Sequence, residues 1–234
     1  MSVVQARAVT PPAPGTRAEP PTAPSAEAHE VARVRASHPD AALVRLADEI
    51  FARLSPYRGV GLRNHCWRLY ELSHLLLRRG GHELDDGVLY LLAMVHDLGL
   101  VSSRDRGPTY LARSVALLWR ETAQLTHGPL SAASRRVLQE CLLYNHRLRA
   151  PRGLSPQAEA FRRAVQIEHT LGRLRHGLPR PAVTAVFRRH PRADFGRVLV
   201  DFARRVLTRE PATVIRGIFF AGGGDDDAER RDAR

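Results

Sequence analysis

The sequence predicts an all-α fold, on three observations. Apolar residues recur at spacings of three and four along most of the chain, the period of an amphipathic helix. The period-two alternation of a half-buried strand is nowhere sustained. Cap residues, a proline at a first helical position and terminating glycines divide the chain into helix-length pieces. With 44% hydrophobic residues over 234 positions, a compact multi-helix bundle has enough apolar surface for a core, and global disorder is excluded.

Pro11, Pro12, Pro14, Pro20, Pro21 and Pro24 crowd the start of the chain, so residues 1–38 are expected to be a disordered proline-rich tail, with a short helix near Ala26–Arg35. The helical domain is expected over 39–221. After Pro39-Asp40, the residues Leu43, Leu46, Ala47, Ile50, Phe51 and Leu54 make one apolar stripe. A second helix is expected from Arg63 to Arg79, stopped by Gly80-Gly81. A third starts at Asp85-Asp86, where carboxylates suit a helix N-terminus, runs through His96, and ends at Gly99. A fourth covers Thr109–Ala123. Ser131 caps a fifth that reaches Tyr144. Ser155-Pro156 opens a sixth, which reads on to His176-Gly177. Further helices are expected over Pro181–His190, Ala193–Thr208 and Pro211–Phe220. Residues 222–234, which begin Gly-Gly-Gly-Asp-Asp-Asp, are expected to be a disordered acidic tail.

Composition narrows the function classes. The formal net charge is +12, yet every basic residue is arginine and none is lysine. Such a bias reflects coding composition, and the core lacks a basic stripe interleaved with aromatics, so nucleic acid is a possible but not a favoured partner. Cys66 and Cys141 are the two cysteines, which excludes a disulfide framework and a cysteine-rich zinc module. No apolar run reaches the roughly 18 residues of a membrane span, and the start of the chain lacks a secretory apolar segment. The expectation is a soluble, cytoplasmic protein with no membrane partner.

Of the eleven histidines, most have bland settings. His96-Asp97 does not: the pair ends the apolar run Val88–Val95, where two ionisable residues are costly unless paired or ligating. Imidazole and carboxylate together suit a borderline divalent metal. His65 lies one helix earlier, with Leu69, Leu72 and Leu76 on its face. It therefore points inward, and a short Gly80-Gly81 link lets the two helices pack antiparallel and bring His65 to His96-Asp97. If all three hold one ion, their side-chain heads lie within a few ångströms of each other.

The segments Arg63-Asn64-His65-Cys66-Trp67-Arg68 and Leu91-Leu92-Ala93-Met94-Val95-His96-Asp97-Leu98-Gly99 resemble the HD-domain superfamily of metal-dependent phosphohydrolases, and the wording around them is similar to small cyanamide-hydratase-like HD proteins. Phe161-Arg162-Arg163-Ala164 and Leu171-Gly172-Arg173-Leu174-Arg175-His176-Gly177 extend the resemblance more loosely. It implies a metal held by His65, His96 and Asp97, with Asp97 also orienting the attacking water. The family's late aspartate falls at Val165, which cannot ligate. Glu168, one turn on, is the candidate replacement. His146 is the candidate for a further metal ligand. Arg68, one turn from His65, is the candidate for gripping a phosphate. His169 and His176 share a helical face and read as surface residues.

The implied cofactor is a divalent transition metal (Mn²⁺, Fe²⁺, Co²⁺ or Ni²⁺) and the implied partner a small anionic substrate. The implied activity is hydrolysis of a phosphate ester or nucleotide. The alternatives are a degenerate HD scaffold that binds nucleotide, RNA or protein without turnover, and hydration of a small nitrile-like molecule on the same site. A di-iron oxygenase is disfavoured by Val165. Removing Met1–Arg35 together with Gly222–Arg234 is predicted to leave the thermal melting temperature unchanged within a degree or so, because neither segment carries much apolar surface to bury. Differential scanning calorimetry of the full and shortened chains checks this.

Overall fold

The computed structural model describes residues 41–101, 109–123 and 130–211. These form eight α-helices and no strands: α1 (Ala41–Leu54), α2 (Gly61–Gly80), α3 (Asp86–Val95), α4 (Tyr110–Thr122), α5 (Ala132–Tyr144), α6 (Pro156–His169), α7 (Arg180–Arg189) and α8 (Phe195–Arg209), with one 3₁₀ turn at Leu98–Leu100. The all-α expectation is met. The tails expected at 1–38 and 222–234, the helix near Ala26–Arg35 and most of the one expected at Pro211–Phe220 lie outside the described residues.

The caps carry the boundaries. The carboxylate of Asp85 accepts the backbone N–H of Val88, and the hydroxyls of Thr109, Ser131 and Ser155 do the same for Ala112, Ser134 and Ala158. Each satisfies a helix-terminal donor that has no partner within its own helix. Gly81 ends α2 at φ 68°, a left-handed conformation that glycine adopts without steric cost. Two boundaries differ from expectation. α6 stops at His169 rather than His176, because Leu171 and Gly172 turn left-handed at φ 56° and 74°, and Gly172 N–H closes back on the Ile167 carbonyl. α3 stops at Val95, so Gly99 is not its stop.

α3 is the innermost helix: Gly87 through Val95 are all buried, and it packs against α1, α2 and α5. A helix apolar on all sides has this position by default. α2 is the other hub, packed on α3, α6, α7 and α8, with its largest contact to α6. No helix among the described residues is long and apolar enough to cross a membrane.

α2 also carries a row of polar residues, Arg68 and Glu71 buried and Asn64 half-buried, and it grips the segment 189–191. Asn64 Nδ2 donates to the Pro191 carbonyl at 2.8 Å. Arg68 Nη1 donates to the His190 carbonyl at 2.7 Å. The Glu71 carboxylate meets His190 Nε2 at 2.8 Å and Arg189 Nη2 at 2.6 Å. The Trp67 ring stacks on His190 with centroids 5.7 Å apart. Burial opposes the Glu71 charge, but His190 and Arg189 outweigh burial and hold its carboxyl below the ordinary range.

A carboxyl lowered on folding contributes stability above its unfolded value, about 4.3 for glutamate, and that contribution is lost as the pH falls through the folded value. Glu71→Gln is therefore predicted to lose about 2 kcal/mol at neutral pH, the order of a charged hydrogen bond. The loss shrinks as the pH falls below about 4. Urea unfolding of both proteins between neutral and acid pH measures it; a constant difference would separate Glu71 from the acid limb.

Candidate metal centre

His65, His96 and Asp97 converge in the interior. His65 sits in the second turn of α2; His96 and Asp97 come directly after the last turn of α3. His65 Nε2 and His96 Nε2 are 3.2 Å apart. Asp97 Oδ2 lies 3.0 Å from His96 Nε2 and 3.7 Å from His65 Nε2. All three residues are buried. Ligand atoms bound at about 2.1 Å stand roughly 3.0 Å apart in a cis-octahedral set and roughly 3.4 Å apart in a tetrahedral one. The observed triangle matches those edges, so the group is spaced to hold a metal ion.

The protons support the same reading. His96 Nδ1 is 2.8 Å from the Ala93 carbonyl oxygen. A carbonyl only accepts, so Nδ1 carries a hydrogen, and Nε2 is the ring nitrogen available to a metal at the centre. Asp97 adds a carboxylate. Burial opposes the Asp97 charge, but His96, His146 and His65 outweigh it and hold the carboxyl well below its ordinary range. His65 shows the counterpart: burial pushes its imidazole down, and Glu168 and Asp97 push it up further. The cluster attracts a cation.

The turn that presents His96 and Asp97 is held from α4. Ser114 Oγ donates to the His96 carbonyl at 2.7 Å and accepts from Gly99 N–H at 3.1 Å. Arg113 Nε donates to the Gly99 carbonyl at 3.0 Å. A Cβ on Gly99 would stand 2.2 Å from the Tyr110 carbonyl oxygen and 2.5 Å from Ser114 N. Gly99 is therefore a close-approach glycine that lets α4 dock on the turn. On the other flank, the Phe195 ring stacks on His65 at 4.2 Å and 12°. Phe195 is set by Asp194, whose Oδ1 accepts the Gly61 N–H at 2.7 Å where α2 begins.

The remaining candidates take different places. His146 faces the other oxygen of Asp97, with Nε2 3.5 Å from Oδ1. Glu168 does not join the triangle. Its Oε2 lies 3.3 Å from His65 Nδ1, on the opposite edge of the ring from Nε2, so it stands behind His65. Val165 is part of the apolar core. Arg68 is not at a mouth: it is 0% exposed. Its Nε and Nη2 donate to Glu168 Oε1 at 3.1 and 2.7 Å, and Nη1 to the His190 carbonyl. A helix interior position facing α6 makes Arg68 a buried partner of Glu168, and its polar atoms face protein.

The sequence pattern places His169 at the surface. It is exposed, but its ring lies 5.4 Å from that of His146 and 6.2 Å from that of His65. Protein surrounds it on most sides; burial, with His146 and His65 nearby, pushes its pKa down to about 3. The imidazole is accessible yet crowded by the rings of His146 and His65. A signal for this exists in the sequence: Phe161, Val165 and His169 form one i, i+4 row, and Phe161 meets His96 edge-on at 5.8 Å. Tyr110, which the sequence does not single out, stands 6.0 Å from His146. Burial and the charges of Asp97 and Glu210 keep its phenol protonated.

No protein-family model, curated protein or solved structure matches the chain. Gly99→Ala is predicted to destabilise the protein by about 1–3 kcal/mol, the usual cost of overpacking, because the atoms in the way are backbone. Equilibrium urea unfolding reads this, and wild-type stability in Gly99→Ala would contradict the docking role given to Gly99.

Proposed function

We propose that the protein is a metal-dependent enzyme that adds water to a small substrate, with His65, His96 and Asp97 holding a divalent transition ion. One observation carries the reading: two imidazole nitrogens and a carboxylate oxygen converge at 3.0–3.7 Å in a buried setting. The motifs around His65 and His96-Asp97, which resemble those of HD-type hydrolases, support a phosphate ester or nucleotide as substrate. When bound, the ion supplies Lewis acidity to the scissile bond and to water.

The chain's own groups supply the rest. Asp97 spends Oδ2 on the triangle and keeps Oδ1 toward His146. His146, beside Oδ1, would be the nearby imidazole for proton transfer during the reaction. The His169 and Tyr110 rings lie beside His146. Ser114 and Gly99 keep the Asp97 turn in register.

A second reading has its own support. Arg68, the residue expected to neutralise phosphate, is saturated by Glu168 and His190. This favours a neutral, nitrile-like substrate hydrated at the same centre. A panel of phosphate monoesters, nucleotides and cyanamide, tested on protein of measured metal content, separates the two. His65→Ala, His96→Ala and Asp97→Ala are each predicted to lower bound metal at least tenfold, by the loss of one of three protein ligands, and to abolish turnover of whichever substrate is accepted. Elemental analysis gives the metal. A wild type that purifies and reconstitutes without metal supports the non-catalytic scaffold instead.

A further inference from the structure

We infer that Glu168 serves the metal centre without ligating it: it fixes the proton of His65 on Nδ1, and Arg68 holds Glu168 in the orientation that does so. The inference rests on the reading of His65, His96 and Asp97 as a metal centre, and assigns Glu168 and Arg68 as positioning residues behind it.

Two buried atoms are decisive. His65 Nδ1 and Glu168 Oε2 stand 3.3 Å apart as an ion-pair contact, and neither makes a hydrogen bond among the described residues. Two lone pairs opposed in the interior repel, and a carboxylate oxygen left bare there is costly. A proton on Nδ1 removes both penalties at once. A neutral imidazole carries one proton, so Nε2 is then a lone pair. Nε2 is the atom that faces His96 Nε2 and Asp97 Oδ2. The other tautomer would aim an N–H into the centre. Carboxylates that orient ligating histidines in this way are a general feature of metal sites.

Arg68 decides which oxygen of Glu168 does this. Oε1 accepts from Arg68 Nε and Nη2, and Arg192 Nη1 approaches it at 3.3 Å. Arg68 cannot turn away: Nη1 is tied to the His190 carbonyl, and the guanidinium lies 5.5 and 5.6 Å from the ring centroids of Phe187 and Phe195. With Oε1 taken, Oε2 is left for His65.

The arrangement makes a near-isosteric substitution unusually informative. Glu168→Gln leaves one oxygen. The arginine donors can pair only with oxygen, so the amide nitrogen falls where Oε2 stood and donates to Nδ1. His65 is then forced to carry its proton on Nε2, pointing at the metal position. Replacing Arg68 with methionine as well removes the two closest donors to that oxygen, leaving only Arg192 at 3.3 Å, so the amide can turn over, present its oxygen to Nδ1–H and restore the lone pair.

The test compares wild type, Glu168→Gln and the Arg68→Met/Glu168→Gln pair. Cobalt(II) affinity is measured by equilibrium dialysis with the visible absorption of the bound ion. The His65 tautomer is read by ¹⁵N–¹H NMR of the metal-free proteins at alkaline pH. The expected result is an Nδ1–H tautomer in wild type and an Nε2–H tautomer in Glu168→Gln. Cobalt affinity should fall about 10–100-fold in the single variant, the range for removal of such a partner, and return to within a few-fold of wild type in the double variant. An Nδ1–H tautomer in Glu168→Gln, or a double variant that binds cobalt no better than the single one, overturns the inference; the latter is what direct ligation by Glu168 would give. If Glu168→Gln does not fold, the double variant is compared with Arg68→Met/Glu168→Met, which has no acceptor for Nδ1–H. Equal cobalt affinity in those two overturns the inference. A wild type with the Nδ1–H tautomer and no affinity for cobalt overturns the metal reading while supporting the assignment of Glu168.

Discussion

The buried Arg68–Glu168 ion pair is the constraint on which the rest of the arrangement turns. It joins α2 to α6 across 100 residues of sequence, and both side chains are fully removed from solvent. Such a pair adds little net stability compared with apolar residues of the same volume, because desolvation offsets the attraction. Losing one partner is different: it strands a buried charge and costs about 3–5 kcal/mol. The pair therefore acts as a geometric lock. It fixes α6 against α2, and through the His190 carbonyl it fixes the segment that brings Phe195 onto His65 and Arg192 onto Glu168.

Around this lock the molecule divides its labour between two helices. α3 is apolar on every face and defines the core, so the residues just past its last turn are held deep in the protein. His96 and Asp97 occupy those positions. Their desolvation is tolerable because each polar atom has a use: His96 Nδ1 on the Ala93 carbonyl, the His96 carbonyl on Ser114, and Asp97 between three imidazoles. α2 is instead amphipathic in a layered way. Its leucines face the core, while Asn64, Arg68 and Glu71 form a polar row that clamps 189–191. His65 sits between these two regions, with its Nε2 edge to the metal centre and its Nδ1 edge to the ion pair. One imidazole thus couples the lock to the site.

The opening of the site has a different character. His146, His169 and Tyr110 come from the end of α5, the end of α6 and the start of α4. None belongs to the buried triangle, and His169 is exposed. Element ends are where side chains escape helix packing, so the surroundings of the buried centre depend on how three helices terminate: His169 is exposed, while Tyr110 is buried.

The amino-acid sequence by itself determined the helices and the core of the site. Helix boundaries at Asp85, Thr109, Ser131 and Ser155 rest on hydrogen bonds within four residues, which local chemistry dictates. His65 and His96-Asp97 were legible because an ionisable residue inside an apolar period has few explanations. Tertiary structure decided the features that depend on partners far along the chain. The role of Arg68 reversed because its acid lies 100 residues away, and spacing along α2 cannot say whether an inward arginine meets solvent or a carboxylate. Glu168 moved from candidate ligand to the far edge of His65 for a related reason: one helical turn shifts a side chain by about 60° from the row of Val165, enough to change which nitrogen it faces. His169 joined the site because that row, Phe161–Val165–His169, points there. A one-dimensional pattern shows which residues share a face; only the packing of α6 on α2 shows what that face meets.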